Sequence, residues 1–284
     1  MSATELTSGT LDEVARQWNN SLRSASRQHN SHTLYSGRAF IEAARAAKAA
    51  GLPHYVVSAG LGLVGPEDKI PAYAMTTVGS TDENILRKCP QGTTATDWWR
   101  AALKPGMLAN LIGKTSGRVF LALPSAYLEM VQDELLSLPH IVLTKTRIFT
   151  GGRETLRDSP LEEFVMPYDS RLDGPDSPIP GTKGDFASRA LRHFIGLEPK
   201  KTDPTLSHDK ALVSTALTGM RTPKLPERVR VSDDEIRNAL VSEWTNARGN
   251  RQKLLRHLRD KLLISCEQSR FARIARELDG ERLL

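Results

Sequence analysis

Between residues 37 and 144, short β-branched runs alternate with stretches of helical spacing, and this alternation most constrains the fold. Residues 37–50 (GRAFIEAARAAKAA) are dense in alanine and read as a helix closed by Gly51 and Pro53. Residues 54–58 (HYVVS) read as a buried strand, 96–103 (TDWWRAAL) as a helix and 118–123 (RVFLAL) as a strand. A helix over 125–136 and a strand over 139–144 (PHIVLT) follow. Strand–helix–strand order predicts an α/β core with some parallel sheet. Apolar residues at 11, 14, 15, 18 and 22 predict a further helix over 11–26, and another starts near Asp185.

The chain has 284 residues, enough for one large domain or a domain with a small appendage. With 39% hydrophobic and 25% charged residues it reads as folded rather than disordered. It has no run of about 18 apolar residues. Its first residues, Met-Ser-Ala-Thr-Glu-Leu, do not read as a signal peptide. Two cysteines are too few for a disulfide framework or a cysteine-rich zinc site. The expectation is a cytoplasmic protein with no cofactor and no metal.

The formal charge of +6 is unevenly placed. Residues 245–276 hold nine Lys/Arg and two acids, a net +7, which leaves −1 for the rest. Ser232-Asp-Asp-Glu235 is a capping-box pattern opening a helix to about 246. Two more helices are expected to about 263 and 278, completing a helix-turn-helix-like bundle. In the second, Leu254, Leu255, Leu258 and Leu262 share one face and Lys253, Arg256 and Arg259 the other. In the third, Phe271, Ile274, Ala275 and Leu278 oppose Arg270, Arg273 and Arg276. With Arg251, these cations are the expected contacts to DNA phosphates. A solvated helix face is the plainer reading.

Several familiar motifs fail. Gly113-Lys114-Thr115 lacks the phosphate-loop glycine at position 108, which is leucine. Gly60-Leu-Gly62 does not open a dinucleotide-binding helix. There is no His-x-x-x-His pair and no Gly-x-Ser-x-Gly elbow.

Three constellations remain. Residues 34–40 place Tyr35, Ser36 and Arg38 at the start of a helix, where backbone N–H groups hold anions or simply cap. Residues 57–64 end a strand in Ser58 and Gly60, at the sheet edge where α/β folds bind ligands, and Tyr73 follows. A long irregular stretch, 165–189, carries Asp169, Arg171, Asp173, Asp185 and Arg189. Asp185 also reads as a plain helix cap.

The segments Tyr35-Ser-Gly-Arg-Ala-Phe40, Val57-Ser-Ala-x-x-Gly-Leu-Val64 and Ile70-x-x-Tyr73-x-x-Thr76, then Phe120-Leu-Ala-Leu-Pro-Ser-Ala-Tyr127, resemble a known domain. It is the domain related to the peroxide-stress protein YaaA and to the catalytic part of archaeosine synthase. The match covers about residues 33–150. The resemblance implies a fold similar to uracil-DNA glycosylases, a three-layer α/β sandwich that handles nucleobases. It extends to anti-phage DNA glycosylases that remove modified bases. The family's Cys-Ser loop before Tyr35 and its Asp after Tyr73 are missing here, where Ala74 stands.

The expected organisation is an N-terminal helical segment (1–33), an α/β nucleobase-handling core (34–200), a linker (201–230) with a candidate helix at 210–218, and a basic three-helix DNA-binding domain (231–284). The expected function is a DNA glycosylase-type N-glycosidase that flips a modified base out of double-stranded DNA. A carboxylate, Asp169 or Asp185, stabilises the oxocarbenium-like state or positions water. Tyr35, Tyr73 and Tyr127 wall the pocket, and Ser36, Arg38, Ser58, Gly60 and Arg171 contact base or phosphate. The alternatives are a non-enzymatic DNA-binding stress or defence protein, and a tRNA- or nucleotide-modifying enzyme.

Overall fold

The computed structural model describes residues 1–151, 156–197, 205–224 and 226–282. It is mixed α/β, about 54% helix and 9% strand, so helices rather than sheet carry most of the architecture. Two compact units divide the chain, Met1–Pro223 and Lys224–Leu284. The first contains α1 (Leu11–Ser24), β1 (His29–Asn30), α2 (Ser31–Leu34), α3 (Arg38–Ala50), β2 (Val56–Ser58), β3 (Gly62–Val64) and β4 (Lys69–Ile70). It continues with α4 (Ala95–Ala102), α5 (Met107–Lys114), β5 (Val119–Ala122), α6 (Ser125–Leu136), α7 (His140–Leu143), β6 (Thr146–Phe149), α8 (Phe186–Leu197) and α9 (Leu206–Ala216). The second contains α10 (Asp233–Ala247), α11 (Arg251–Arg256) running into a π turn at His257–Lys261, and α12 (Gln268–Arg282).

Local chemistry explains the helix starts. Thr10 with Glu13, Thr94 with Asp97 and Ser232 with Glu235 form capping boxes that satisfy the first N–H groups of α1, α4 and α10. Gly51 ends α3 in the left-handed region at φ 68°. Among the described residues each β-ladder has only two strands. The β2–β3 hairpin sets Ser58 opposite Gly62, and β5–β6 is parallel with Val119 opposite Thr146. The parallel pair, joined through α6 and α7, matches the predicted strand–helix–strand order, with its second strand at Thr146–Phe149.

Three expectations change. The strand expected at 139–144 is instead the helical turn α7, and the strand is the following TRIF segment, Thr146–Phe149. Pro139 sits at the cap with φ −56°, already set for a helix, and leaves Ile141 76% exposed, whereas β6 is buried along its whole length. The N-terminal segment is no separate piece, because α1 buries Val14, Ala15 and Trp18 in the main core. Within the expected linker, α9 buries Val213 in the core around Phe149 and Phe194, so 206–216 belongs to the first unit. Residues 201–204 and 225 of that linker lie outside the described residues.

The irregular stretch before α8 is organised by one buried cation. Arg189, 1% exposed, donates to Asp185 Oδ1 and Asp173 Oδ1, both at 2.6 Å. It also donates to the carbonyls of Leu172, Ile179 and Thr182. The loop therefore wraps the guanidinium, so tightly that a Cβ at Gly181 would lie 2.2 Å from Arg189 Nε. Burial works to raise the Asp185 pKa, but the hydrogen bonds from Arg189 and Thr182 and the charges of Arg189 and Arg38 hold it below the usual value.

Arg189→Leu takes the buried cation from Asp185 and Asp173, leaving Asp185 only Arg38 and the Thr182 N–H, and should cost about 3–5 kcal/mol in urea unfolding. A loss under about 1 kcal/mol would show that the clamp is not structural. Because the Asp185 pKa is depressed on folding, its contribution is fully present above about pH 4, the unfolded value. It is lost as pH falls through the lower folded value. Acid titration of the melting point in wild type against Asp185→Asn should show the two curves converging only at low pH.

Candidate functional site: a tyrosine-walled cavity

Two indoles fix the turn on which the site is built. Trp18 Nε1 donates to the Gly60 carbonyl at 2.7 Å, and Trp98 Nε1 to the Ala59 carbonyl at 2.8 Å. Both rings are fully buried. Behind this turn the Ser58 hydroxyl accepts hydrogen bonds from the backbone N–H groups of Gly60 (3.2 Å) and Leu61 (3.1 Å). Gly60 is confined on both sides: an added Cβ would lie 2.8 Å from the Tyr73 ring and 3.1 Å from Trp18.

From Ser58 a hydroxyl chain runs outward. Ser58 Oγ is 2.6 Å from Tyr73 Oη, which is 2.8 Å from Tyr35 Oη. The Tyr35 and Tyr73 rings meet edge to face at 6.4 Å. Tyr127 stands beside Thr76 and close to both other tyrosines. These groups close one end of a cavity of about 520 Å³. Its wall is the alanine face of α3 (Ala39, Ala43 and Ala47), and its floor is β5 with Leu123 and Pro124 at the strand's carboxyl end.

The cavity is electrically quiet. Burial, before any hydrogen bond, pushes the hydroxyls of Tyr35, Tyr73 and Tyr127 above the ordinary tyrosine value, so they stay protonated donors. Burial, with the nearby His32, lowers His54, which packs on Phe40 at 5.0 Å and stays neutral at pH 7. Among the described residues Arg118 is the one fixed cation in the lining. It lies over the Phe120 ring and pairs at 3.5 Å with Asp209, which is fully buried and also bound by Arg147. No Asp or Glu side chain among the described residues lines the cavity.

The expected site residues therefore divide. Tyr35, Ser58, Tyr73 and Tyr127 come together, with Gly60 as the packed turn behind them. Ser36 is exposed and outside the lining. Arg38 faces Asp185 at 3.0 Å rather than the cavity. Asp169 caps a 3-10 turn and is gripped by Arg171, whose guanidinium also holds the Leu217 carbonyl. Asp185 is the carboxylate of the Arg189 clamp and caps the turn with Thr182. Neither expected catalytic carboxylate lines the cavity, because both already serve arginines that hold the 169–189 loop. Phe40, His54, Trp18, Trp98 and the alanine face are site residues that the sequence reading assigns no role. The one available signal was the i, i+4 recurrence of alanine on an otherwise ordinary helix.

The expected DNA-binding cations divide as well. Lys224–Leu284 holds fourteen Lys/Arg and ten Asp/Glu, a net +4, because the flanks of the basic window are acidic; several of those acids fold back onto it. Arg270 and Arg273 bind Asp233, Arg251 binds Asp279, and Arg259 donates to the Cys266 carbonyl. Arg276 donates to the Ala272 carbonyl within its own helix. Lys253 and Arg256 are exposed and make no ion pair among the described residues; Arg248 and Lys261, outside the expected set, share that state.

Gly60→Ala should destabilise the first unit by about 1–3 kcal/mol through overpacking against Tyr73 and Trp18. Thermal unfolding checks this, and an unchanged melting point would mean that the turn is not confined as described. No family model, curated protein or solved structure matches the chain.

Proposed function

We propose that the chain captures a nucleobase flipped out of DNA in the tyrosine-walled cavity and cleaves its N-glycosidic bond. The observation that carries this reading is the cavity itself: largely apolar, with its one cation paired to Asp209, and furnished with aromatic rings and the hydroxyls of Tyr35, Ser58, Tyr73 and Tyr127. A neutral heteroaromatic ring is the ligand such a space accommodates without burying an uncompensated charge. Stacking on aromatic side chains with polar contacts to the base edge is how flipped bases are held. Donors aimed at the leaving base stabilise the negative charge that develops on it as the bond to the sugar breaks. Water adds at the sugar carbon, and the base leaves with a proton.

The likeness to uracil-DNA glycosylases belongs to the same proposal. Its support is the β5–α6–β6 unit with parallel pairing and a cavity reaching the carboxyl end of β5, the edge where α/β folds bind ligands. Double-stranded DNA, phage DNA included, is the proposed partner, engaged through Lys253, Arg256 and their exposed neighbours Arg248 and Lys261. One observation favours a second reading, a DNA-binding defence protein without chemistry: the absence of a carboxylate from the described cavity lining.

Incubating the protein with plain and base-modified DNA, followed by abasic-site detection and chromatography of released bases, separates the two. Release that disappears in Ala43→Trp, which fills the cavity, is the expected result. Tight binding with no abasic sites on any substrate would select the second reading. Separately, reversing charge at Lys253 and Arg256 should weaken DNA binding. It should also flatten the dependence of log Kd on log salt by about 0.9 for each phosphate no longer neutralised. Arg270→Ala, which leaves Asp233 to Arg273 and frees the Val231 carbonyl, should change DNA binding less than the loss of Lys253 and Arg256.

A further inference from the structure

The hydroxyl chain has a direction. A serine hydroxyl has one proton and two lone pairs. Ser58 Oγ accepts from two backbone N–H groups, of Gly60 and Leu61, which cannot reverse their roles. Its lone pairs are thereby engaged, and its proton is left for Tyr73 Oη at 2.6 Å. Tyr73 then donates its own proton to Tyr35 Oη at 2.8 Å. Tyr35 ends the chain with its acceptor side used and its proton free to turn into the cavity that the ring lines. Each link polarises the next, so the terminal donor is strengthened. Burial keeps both phenols protonated, so each has a proton to donate.

We infer that Tyr35 is the specificity-determining donor of the cavity, and that it selects a base presenting a carbonyl-type oxygen over one presenting an exocyclic amine. Resting on the nucleobase reading above, this names its substrate class. An amine placed against Tyr35 sets donor against donor and leaves a buried polar group unpaired. An oxygen acceptor completes the chain. On leaving, a base of this class carries its developing negative charge on that oxygen, where the donor already points. Ser58 and Tyr73 act as positioning residues: they fix which way the proton of Tyr35 faces.

Binding of hypoxanthine and adenine to the full-length protein tests this, since the two share a ring system and differ at C6 by oxo against amino. Wild type should prefer hypoxanthine by about five- to tenfold, the worth of one net hydrogen bond. Tyr35→Phe should abolish the preference. Tyr73→Phe keeps the Tyr35 hydroxyl but frees its direction, and should erase most of the preference as well. A preference that survives Tyr73→Phe, in protein with a normal melting curve, would overturn the proton order. Equal binding of both bases, abolished in Ala43→Trp, would overturn the selectivity while leaving the cavity as a base site. Binding of neither base, or binding indifferent to Ala43→Trp, would remove the base site and this inference with it.

Discussion

The pair of indole N–H groups on consecutive carbonyls, Trp18 on Gly60 and Trp98 on Ala59, is the constraint on which the rest of the first unit depends. Those carbonyls sit in the turn of a three-residue hairpin with no wider sheet to hold it among the described residues. A buried carbonyl without a partner costs as much as a missing hydrogen bond, so the turn is stable only where something reaches it. Two tryptophans from different helices, α1 and α4, do so and bring their rings into the core at the same time. The helices thus take over the role that neighbouring strands play in a broad sheet.

With its carbonyls fixed from one side, the turn aims its N–H groups at Ser58 on the other. The direction of every hydroxyl beyond Ser58 follows from backbone geometry that cannot rotate. A serine with a free rotor would leave Tyr73 and Tyr35 able to donate either way. Held as it is, the chain converts the packing of two indoles into a fixed donor some distance away. Such a donor needs no reorganisation when a ligand or a developing charge arrives, which is where preorganised sites gain most over water.

Periodicity and capping carried much of the fold. The helices at 11–24, 38–50, 125–136 and 233–247 follow from spacing and from Gly51 and Ser232; the Thr10 capping box adds to the first. The strand at 139–144 misled because Ile141 and Val142 favour strands, while Pro139 and exposure of Ile141 decide for a helical turn. At the site, Tyr35, Ser58, Tyr73 and Tyr127 were legible as residues because each lies in a short motif at an element's end. Their chemistry was not, since hydrogen-bond direction depends on which backbone groups meet Ser58. The carboxylates failed for a related reason. Polar density in a long loop marks either a site or an internal clamp, and only the burial of Arg189 identifies the clamp.

The basic segment shows the same limit for charge. A window of sequence counts cations, whereas a folded surface counts what remains after pairing. Asp233 lies before the window and Asp279 after it, yet the helix packing brings them to Arg270, Arg273 and Arg251. Exposed ion pairs of this kind add little stability, but they lower the local field that an approaching polyanion meets. What stays without an acid partner among the described residues of that window is Arg248, Lys253, Arg256 and Lys261 on and beside α11, with Arg259 and Arg276, whose guanidiniums meet only backbone carbonyls. The proposed function divides recognition between this surface and a cavity whose one lining cation, Arg118, is paired with Asp209. Under the proposed function, the surface would contribute affinity that salt screens, and the cavity a choice between ligands that salt does not touch, because hydrogen-bond direction rather than charge makes it.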